Sequence, residues 1–108
     1  MKKASDSLND LGRFSEPALL ILISLADSPK HGYAMTQDIE AVSGQRLGPG
    51  TLYGAITRLE QSRWIEPLPA EDRRRPYKLT SAGHKVLRAR LEAMRAMTRA
   101  AQSRLADA

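Results

Sequence analysis

The chain has 108 residues and a mass of 11.9 kDa, enough for one compact domain and too little for two. Its 17 lysines and arginines outnumber its 12 acidic residues, and the formal charge of +5 favours a polyanionic partner. The absence of cysteine excludes disulfides, thiolate nucleophiles and the usual zinc sites, so a reducing cytoplasm is the expected location.

The first predicted helix follows a polar start. Residues 1–14 predict a flexible arm of unknown role. Ser15-Glu16-Pro17 then has the chemistry of a helix N-terminus, with a capping hydroxyl and a proline in the first turn. The apolar run Ala18–Ala26 is too short to span a bilayer, and its flank does not resemble a signal peptide. We therefore expect a buried helix ending near Asp27.

Two further helices are predicted in the middle of the chain. After a break at residues 28–32, a second helix is expected to end before Gly44. Its inward face is predicted to contain Met35, Ile39 and Val42. Gly48-Pro49-Gly50 then starts a third helix, whose apolar stripe is Leu52, Ala55, Ile56 and Leu59. Two short helices joined by a tight turn are typical of a helix-turn-helix.

A β-hairpin and a long helix complete the predicted order. Residues 64–68 and 77–79 predict two strands, and the basic loop 69–75 between them would be the tip of a wing. Thr80 or Ser81 can cap the last helix. Alternating spacings of four and three predict a coiled-coil seam in that helix, made of Leu87, Leu91, Met94, Thr98, Ala101 and Leu105.

The predicted fold class is mainly α with a small β-hairpin, a winged helix-turn-helix plus a long C-terminal helix. Residues 15–80 would form the winged domain and residues 81–108 the dimerisation helix.

The outward face of the third helix carries the first candidate binding residues: Gly50, Thr51, Gly54, Thr57, Arg58 and Gln61. These side chains and the free amides at the helix start suit base edges and phosphates. Gly54 costs helix stability, which a close approach of the backbone to a partner would explain. The alternative is a solvated helix face.

Two tyrosines and the wing supply further candidates. Tyr33 and Tyr53 either contact phosphate or pack over a neighbouring element with the hydroxyl in water. The run Arg73-Arg74-Arg75 either reaches phosphates and a minor groove or is a solvated loop, and Glu71 and Asp72 partly offset its field. Lys78, on the returning strand, completes the candidate set.

Catalysis and metal binding are not predicted. His31 and His84 have no partner at metal-ligand spacing within their own helices, so turn or structural roles are expected, with no cofactor. No nucleophile turn, glycine-rich phosphate loop or paired-carboxylate motif is present.

Several motifs together resemble the PadR family of transcriptional regulators: His31-Gly32-Tyr33, Gly50-Thr51-Leu52-Tyr53, Arg58-Leu59-Glu60, Tyr77-Lys78-Leu79-Thr80 and Gly83. The resemblance covers residues 18–91. It implies a dimer of winged helices with the third helix in the major groove, the wing along the backbone and the last helix pairing the subunits. Tyr33, Thr51, Tyr53 and the wing arginines match the family's DNA-facing positions.

The chain also departs from this pattern. Gly54 stands where the family commonly has proline, and Asp72 with the arginines replaces the usual wing glycine, so base preference cannot be carried over. Some short members of the family bind flat aromatic molecules between the paired helices. No aromatic residue follows Tyr77 here, and Met94 and Met97 either line an adaptable hollow or belong to the helix seam.

We therefore expect a cytoplasmic homodimer that binds a roughly palindromic duplex operator and represses transcription by promoter occlusion. One alternative is a winged-helix module that binds an acidic protein without specific DNA readout. A second is an RNA-binding accessory or enzyme subunit, although the exposed aromatic strands of single-strand readers are missing.

Overall fold

The computed structural model describes residues 16–108, and the predicted arm and the predicted cap at Ser15 lie outside that range. The described elements are α1 (Pro17–Ser24), α2 (Gly32–Ser43), α3 (Pro49–Gln61), β1 (Ile65–Pro67), β2 (Tyr77–Leu79) and α4 (Ser81–Asp107). This is the predicted fold class, a helix-turn-helix followed by a wing and a long helix.

Helix α1 is the centre of the core. It packs against α2, α3 and α4, and Ile21 on its length is completely buried. Met35, Ile39 and Ile65 add fully buried side chains from α2 and β1. Burial of each such side chain contributes about 1.5–3 kcal/mol. Helix α1 therefore anchors α2, α3 and α4 to one core.

Helix α1 ends at Ser24, three residues before the predicted Asp27. The Ser24 hydroxyl donates to Asp38 on α2 at 2.7 Å, and the Lys30 ammonium donates to the Ser24 carbonyl. Lys30 also pairs with Asp27 at 2.7 Å, and this hydrogen bond holds the pKa of the Asp27 carboxyl below its ordinary value. Lysine thus satisfies a helix-terminal carbonyl and ends the helix early.

Helix α2 has defined caps at both ends. The His31 side chain accepts a hydrogen bond from the Ala34 amide, and Gly44 ends the helix with a φ of 76°. The predicted inward position of Val42 is wrong, because this side chain is 63% exposed. It lies almost one turn beyond Ile39, the last buried residue of α2.

The wing is a two-stranded antiparallel hairpin in which Ile65 pairs with Leu79 and Pro67 with Tyr77. Its first strand is shorter than the predicted 64–68. The Trp64 amide bonds to the Leu59 carbonyl and closes the end of α3, so only the Trp64 carbonyl pairs across the hairpin, with the Thr80 amide at 3.1 Å. The wing is therefore joined directly to α3.

Helix α4 begins at a side-chain cap. The Thr80 hydroxyl accepts from the Gly83 amide at 3.0 Å and donates to the Arg63 carbonyl at 2.6 Å. Leu87, predicted in the dimer seam, is only 6% exposed and lies in the core of its own domain, which corrects that assignment. Among residues 16–108, no helix is long and apolar enough to cross a membrane.

Candidate nucleic-acid interface

The buried stripe of α3 is the predicted one, and it determines which side chains face outward. Leu52, Ala55, Ile56 and Leu59 are buried, whereas Gly50, Thr51, Thr57, Arg58 and Gln61 are exposed. Gly54 is half-buried, and a Cβ atom built there would meet only Arg58 Nη1, at 3.9 Å. The Thr57 hydroxyl donates to the Tyr53 carbonyl at 2.9 Å, which points this side chain back along its own helix.

The two tyrosines lie on the same side of the molecule. Tyr33 and Tyr53 are 58% and 52% exposed. The Tyr33 hydroxyl accepts from Gln37 at 3.1 Å, while the Tyr53 hydroxyl lies against Gly32, where any Cβ atom would overlap it. Gly32 therefore allows α3 to bring Tyr53 onto the start of α2.

The wing tip is a two-residue turn. The backbones of Glu71 and Arg74 exchange two hydrogen bonds, both of 2.7 Å, across Asp72 and Arg73. Asp72 and Arg73 have φ angles of 46° and 68°, the left-handed pair that a type I′ hairpin requires. Arg73 and Arg74 are thereby held at the exposed end of the hairpin.

A backbone bridge places the wing beside α2. Lys30 and Tyr77 exchange amide-to-carbonyl hydrogen bonds of 3.1 and 3.0 Å. His31 follows directly, and its Nε2 atom lies 3.4 Å from Arg74 Nη1. Burial, and then the nearby Glu60 carboxylate, raise the pKa of the Tyr77 hydroxyl above its ordinary value.

These elements enclose a shallow cavity of about 260 Å³, which we call the basic cleft. Its lining consists of His31, Gly32, Tyr33, Tyr53, Arg73, Arg74, Arg75 and Tyr77. No carboxylate belongs to this lining, which is donor-rich and positively charged. Such a surface suits an anion with several acceptor oxygens.

Comparison with known proteins identifies the family. The model of the transcriptional regulator PadR-like family matches residues 21–89, which include α2, α3 and the wing. The chain belongs to this family. PadR-like proteins are transcriptional regulators and not enzymes.

A Streptomyces fradiae protein named as an uncharacterized 37.1 kDa protein in transposon TN4556 is 51% identical over 75 residues. The match covers 69% of this chain, which spans only 22% of that relative's length.

Solved structures show the same fold at lower identity. A transcriptional regulator from Clostridium thermocellum superposes with a TM-score of 0.74 at 23% identity, covering 87% of this chain and 96% of its own. A PadR family regulator from Clostridium difficile gives 0.74 at 22%, covering 82% and 97%. RosR of H. salinarum gives 0.67 at 24%, covering 74% and 73%.

The structure brings together only part of the residue set predicted for this PadR-like chain. Tyr33, Tyr53 and the wing arginines meet in the basic cleft, whereas Lys78 lies outside it and pairs with Glu66 across the hairpin at 3.2 Å. Arg75 donates to the Leu68 carbonyl at 2.9 Å and so also supports the loop.

The sequence analysis did not place three residues of the cleft, His31, Gly32 and Tyr77, in the site. His31 was assigned a turn role, and it does cap α2, but its second ring nitrogen faces the wing. The signal that could have found it is its place directly before Gly32-Tyr33 in the motif.

Proposed function

We propose that this PadR-like regulator binds duplex DNA sequence-specifically, with α3 in the major groove and the wing along the phosphate backbone. The observation that carries the proposal is the basic cleft, because it joins the start of α2, the exposed side of α3 and the wing. Arginine and tyrosine donors there suit phosphate oxygens. The exposed Arg58 and Gln61 of α3 would read base edges, and Thr57 would do so once its hydroxyl turns away from the Tyr53 carbonyl.

We also propose that the functional unit is a homodimer paired through α4. Leu91, Met97 and Leu105 are exposed apolar residues of this helix, at 40%, 64% and 76%. With Thr98 and Ala101 they form a stripe that a second copy would cover, whereas Leu87 belongs to the core and Met94 packs partly on it. A two-fold dimer implies a roughly palindromic operator.

Repression by occlusion is the mechanism that we propose for this dimer. Two half-sites separated by about one helical turn, roughly 34–36 Å, would place protein over a promoter-sized stretch of duplex. A dimer bound there would exclude polymerase sterically. A reporter with the operator overlapping the promoter should be repressed, whereas moving the operator far upstream should abolish repression.

The central experiment is selection of binding sites from random duplex DNA at near-physiological salt, with sedimentation on the same sample. We expect an enriched palindrome bound by two copies of the chain, with an affinity that falls steeply as salt rises. If only weak, salt-sensitive binding without enrichment is found, specific readout is refuted. The basic surface would then serve an acidic protein partner.

A further inference from the structure

His31 is held in one tautomer by its capping role. Its Nδ1 atom accepts the hydrogen bond of the Ala34 amide at 3.3 Å. A neutral imidazole has one donor and one acceptor nitrogen, so the nitrogen that accepts cannot carry the proton. The neutral ring therefore carries its proton on Nε2.

The proton on Nε2 points toward a group that can only donate. Arg74 Nη1 lies 3.4 Å from Nε2, and a guanidinium has no acceptor. Two donors, one at the start of α2 and one on the wing, thus face a common point, and no acceptor from residues 16–108 lies between them. An anionic oxygen at that point would accept from both.

The opposite tautomer is the less stable one here. It would let Nε2 accept from Arg74, but it would leave the Ala34 amide without its cap acceptor. A cap is worth about 1 kcal/mol, whereas Arg74 is exposed and can donate to water instead. The cap therefore determines the tautomer.

We propose that His31 Nε2–H and the Arg74 guanidinium together hold one backbone phosphate of duplex DNA. This inference rests on the proposed DNA-binding function and adds a specific site to it. DNA is favoured over a free anion because the basic cleft is continuous with α3 through Tyr53. The phosphate would join α2 to the wing and fix the angle of the wing on the duplex.

The matched variants are His31→Asn and Arg74→Gln. Asparagine is among the best N-cap residues, so His31→Asn preserves the start of α2 and removes only the Nε2 donor. We expect each variant to weaken operator binding roughly tenfold, as loss of a hydrogen bond to a charged group does. His84→Asn, on the exposed side of α4, should leave affinity unchanged.

The double variant tests whether both side chains hold the same phosphate. If they do, the combined loss should be clearly smaller than the product of the single losses. Arg74→Gln should also reduce the salt slope by about one, whereas His31→Asn, which removes a neutral donor, should leave the slope unchanged. Independent losses that multiply would overturn the shared site.

Single methylphosphonate substitutions along the selected operator locate the phosphate. One substitution should weaken the wild type most, weaken His31→Asn and Arg74→Gln less, and have no further effect on the double variant. Nitrogen-15 NMR of the free protein should show the His31 proton on Nε2, and a proton on Nδ1 would refute the proposal. A wild-type protein that binds no duplex would refute both proposals, whereas intact binding with no effect of His31→Asn would refute only the shared phosphate.

Discussion

Within the described residues 16–108, no contact requires glycine at position 54. Gly54 lies in the middle of α3, where glycine costs about 1 kcal/mol relative to alanine. Its φ angle is not positive, and an added Cβ atom would make only an ordinary contact with Arg58. The absent side chain therefore matches a close approach of the helix to a partner.

Gly54→Ala should stabilise the fold and weaken operator binding. The free energy of unfolding should rise by about 0.5–1 kcal/mol, because alanine restricts the unfolded chain and favours the helix. Thermal unfolding would show an increase of a few degrees. Affinity should fall because the new methyl group occupies the space between backbone and groove. Increased stability with unchanged affinity would place Gly54 outside the interface.

At the scale of single residues, the sequence predicts burial better than contact. The apolar stripe of α3 has the helical period, so its exposed residues could be predicted without a structure. The Lys30–Tyr77 bridge brings His31 close to Arg74, although these two residues are 43 positions apart in the sequence. No local pattern encodes that bridge, so only a turn role could be predicted for His31.

The wing turn holds an arginine, Arg73, in a strained left-handed backbone conformation. Arg73 has a φ of 68°, a left-handed conformation that costs a residue with a Cβ atom roughly 1–2 kcal/mol. Glycine adopts it freely and is the usual second residue of a type I′ turn. The chain therefore keeps an arginine at the wing tip at the expense of stability.

Arg73→Gly should raise the free energy of unfolding by up to about 1 kcal/mol, whereas Arg74→Gly should lower it. Both variants remove one positive charge, but Arg74 does not have a positive φ, so only the first relieves strain. Both should weaken binding to all duplexes. Urea denaturation measures the first effect and salt titration the second, and equal stabilities of the two variants would contradict the strain.

The junction of wing and α4 depends on one glycine. A Cβ atom at Gly83 would overlap the carbonyl oxygen of Trp64 and lie 3.2 Å from Leu79 Cδ2. The Trp64 carbonyl also accepts the Thr80 amide at 3.1 Å, so it cannot move without breaking the strand end.

Gly83→Ala should destabilise the protein by roughly 1–3 kcal/mol, as overpacking against fixed backbone does. Gly54→Ala is the same chemical change in open space and serves as the control, with the opposite sign expected. Urea unfolding curves of the two variants provide the test. If Gly83→Ala were as stable as the wild type, the close packing of α4 on the wing would be wrong.

At the scale of elements, the helices could be predicted because their apolar periods and caps are local, as the C-cap at Gly44 and the N-cap at Thr80 illustrate. The ends set by distant groups could not. Lys30 bonds to the carbonyl of Ser24 at the end of α1, and the Trp64 amide bonds to α3 and not across the hairpin. Leu87 fits a coiled-coil spacing equally well whether its partner is a second copy or its own core.

At the scale of the whole molecule, the second half of the long helix α4 packs against no other part of residues 16–108. Met94 is the last residue of α4 that packs on the core, although the helix continues to Asp107. The thirteen residues 95–107 would form only a marginal helix alone in water. A helix partner along the stripe that contains Leu91 and Leu105 would stabilise this half.

Leu91→Glu should convert the proposed dimer to monomers, because pairing the helices would remove a carboxylate on each copy from water and place the two like charges near each other. Leu91 is 40% exposed in the single chain, so the domain itself should remain folded. Ala96→Glu adds the same charge on the opposite side of α4 and should remain dimeric.

Sedimentation of both variants measures the assembly. Operator titration should show a large loss of affinity for Leu91→Glu alone, since only paired domains bind both half-sites. A Leu91→Glu protein that still sediments as a dimer would exclude this stripe as the interface, and a folded monomer that keeps full operator affinity would show that one winged domain is sufficient.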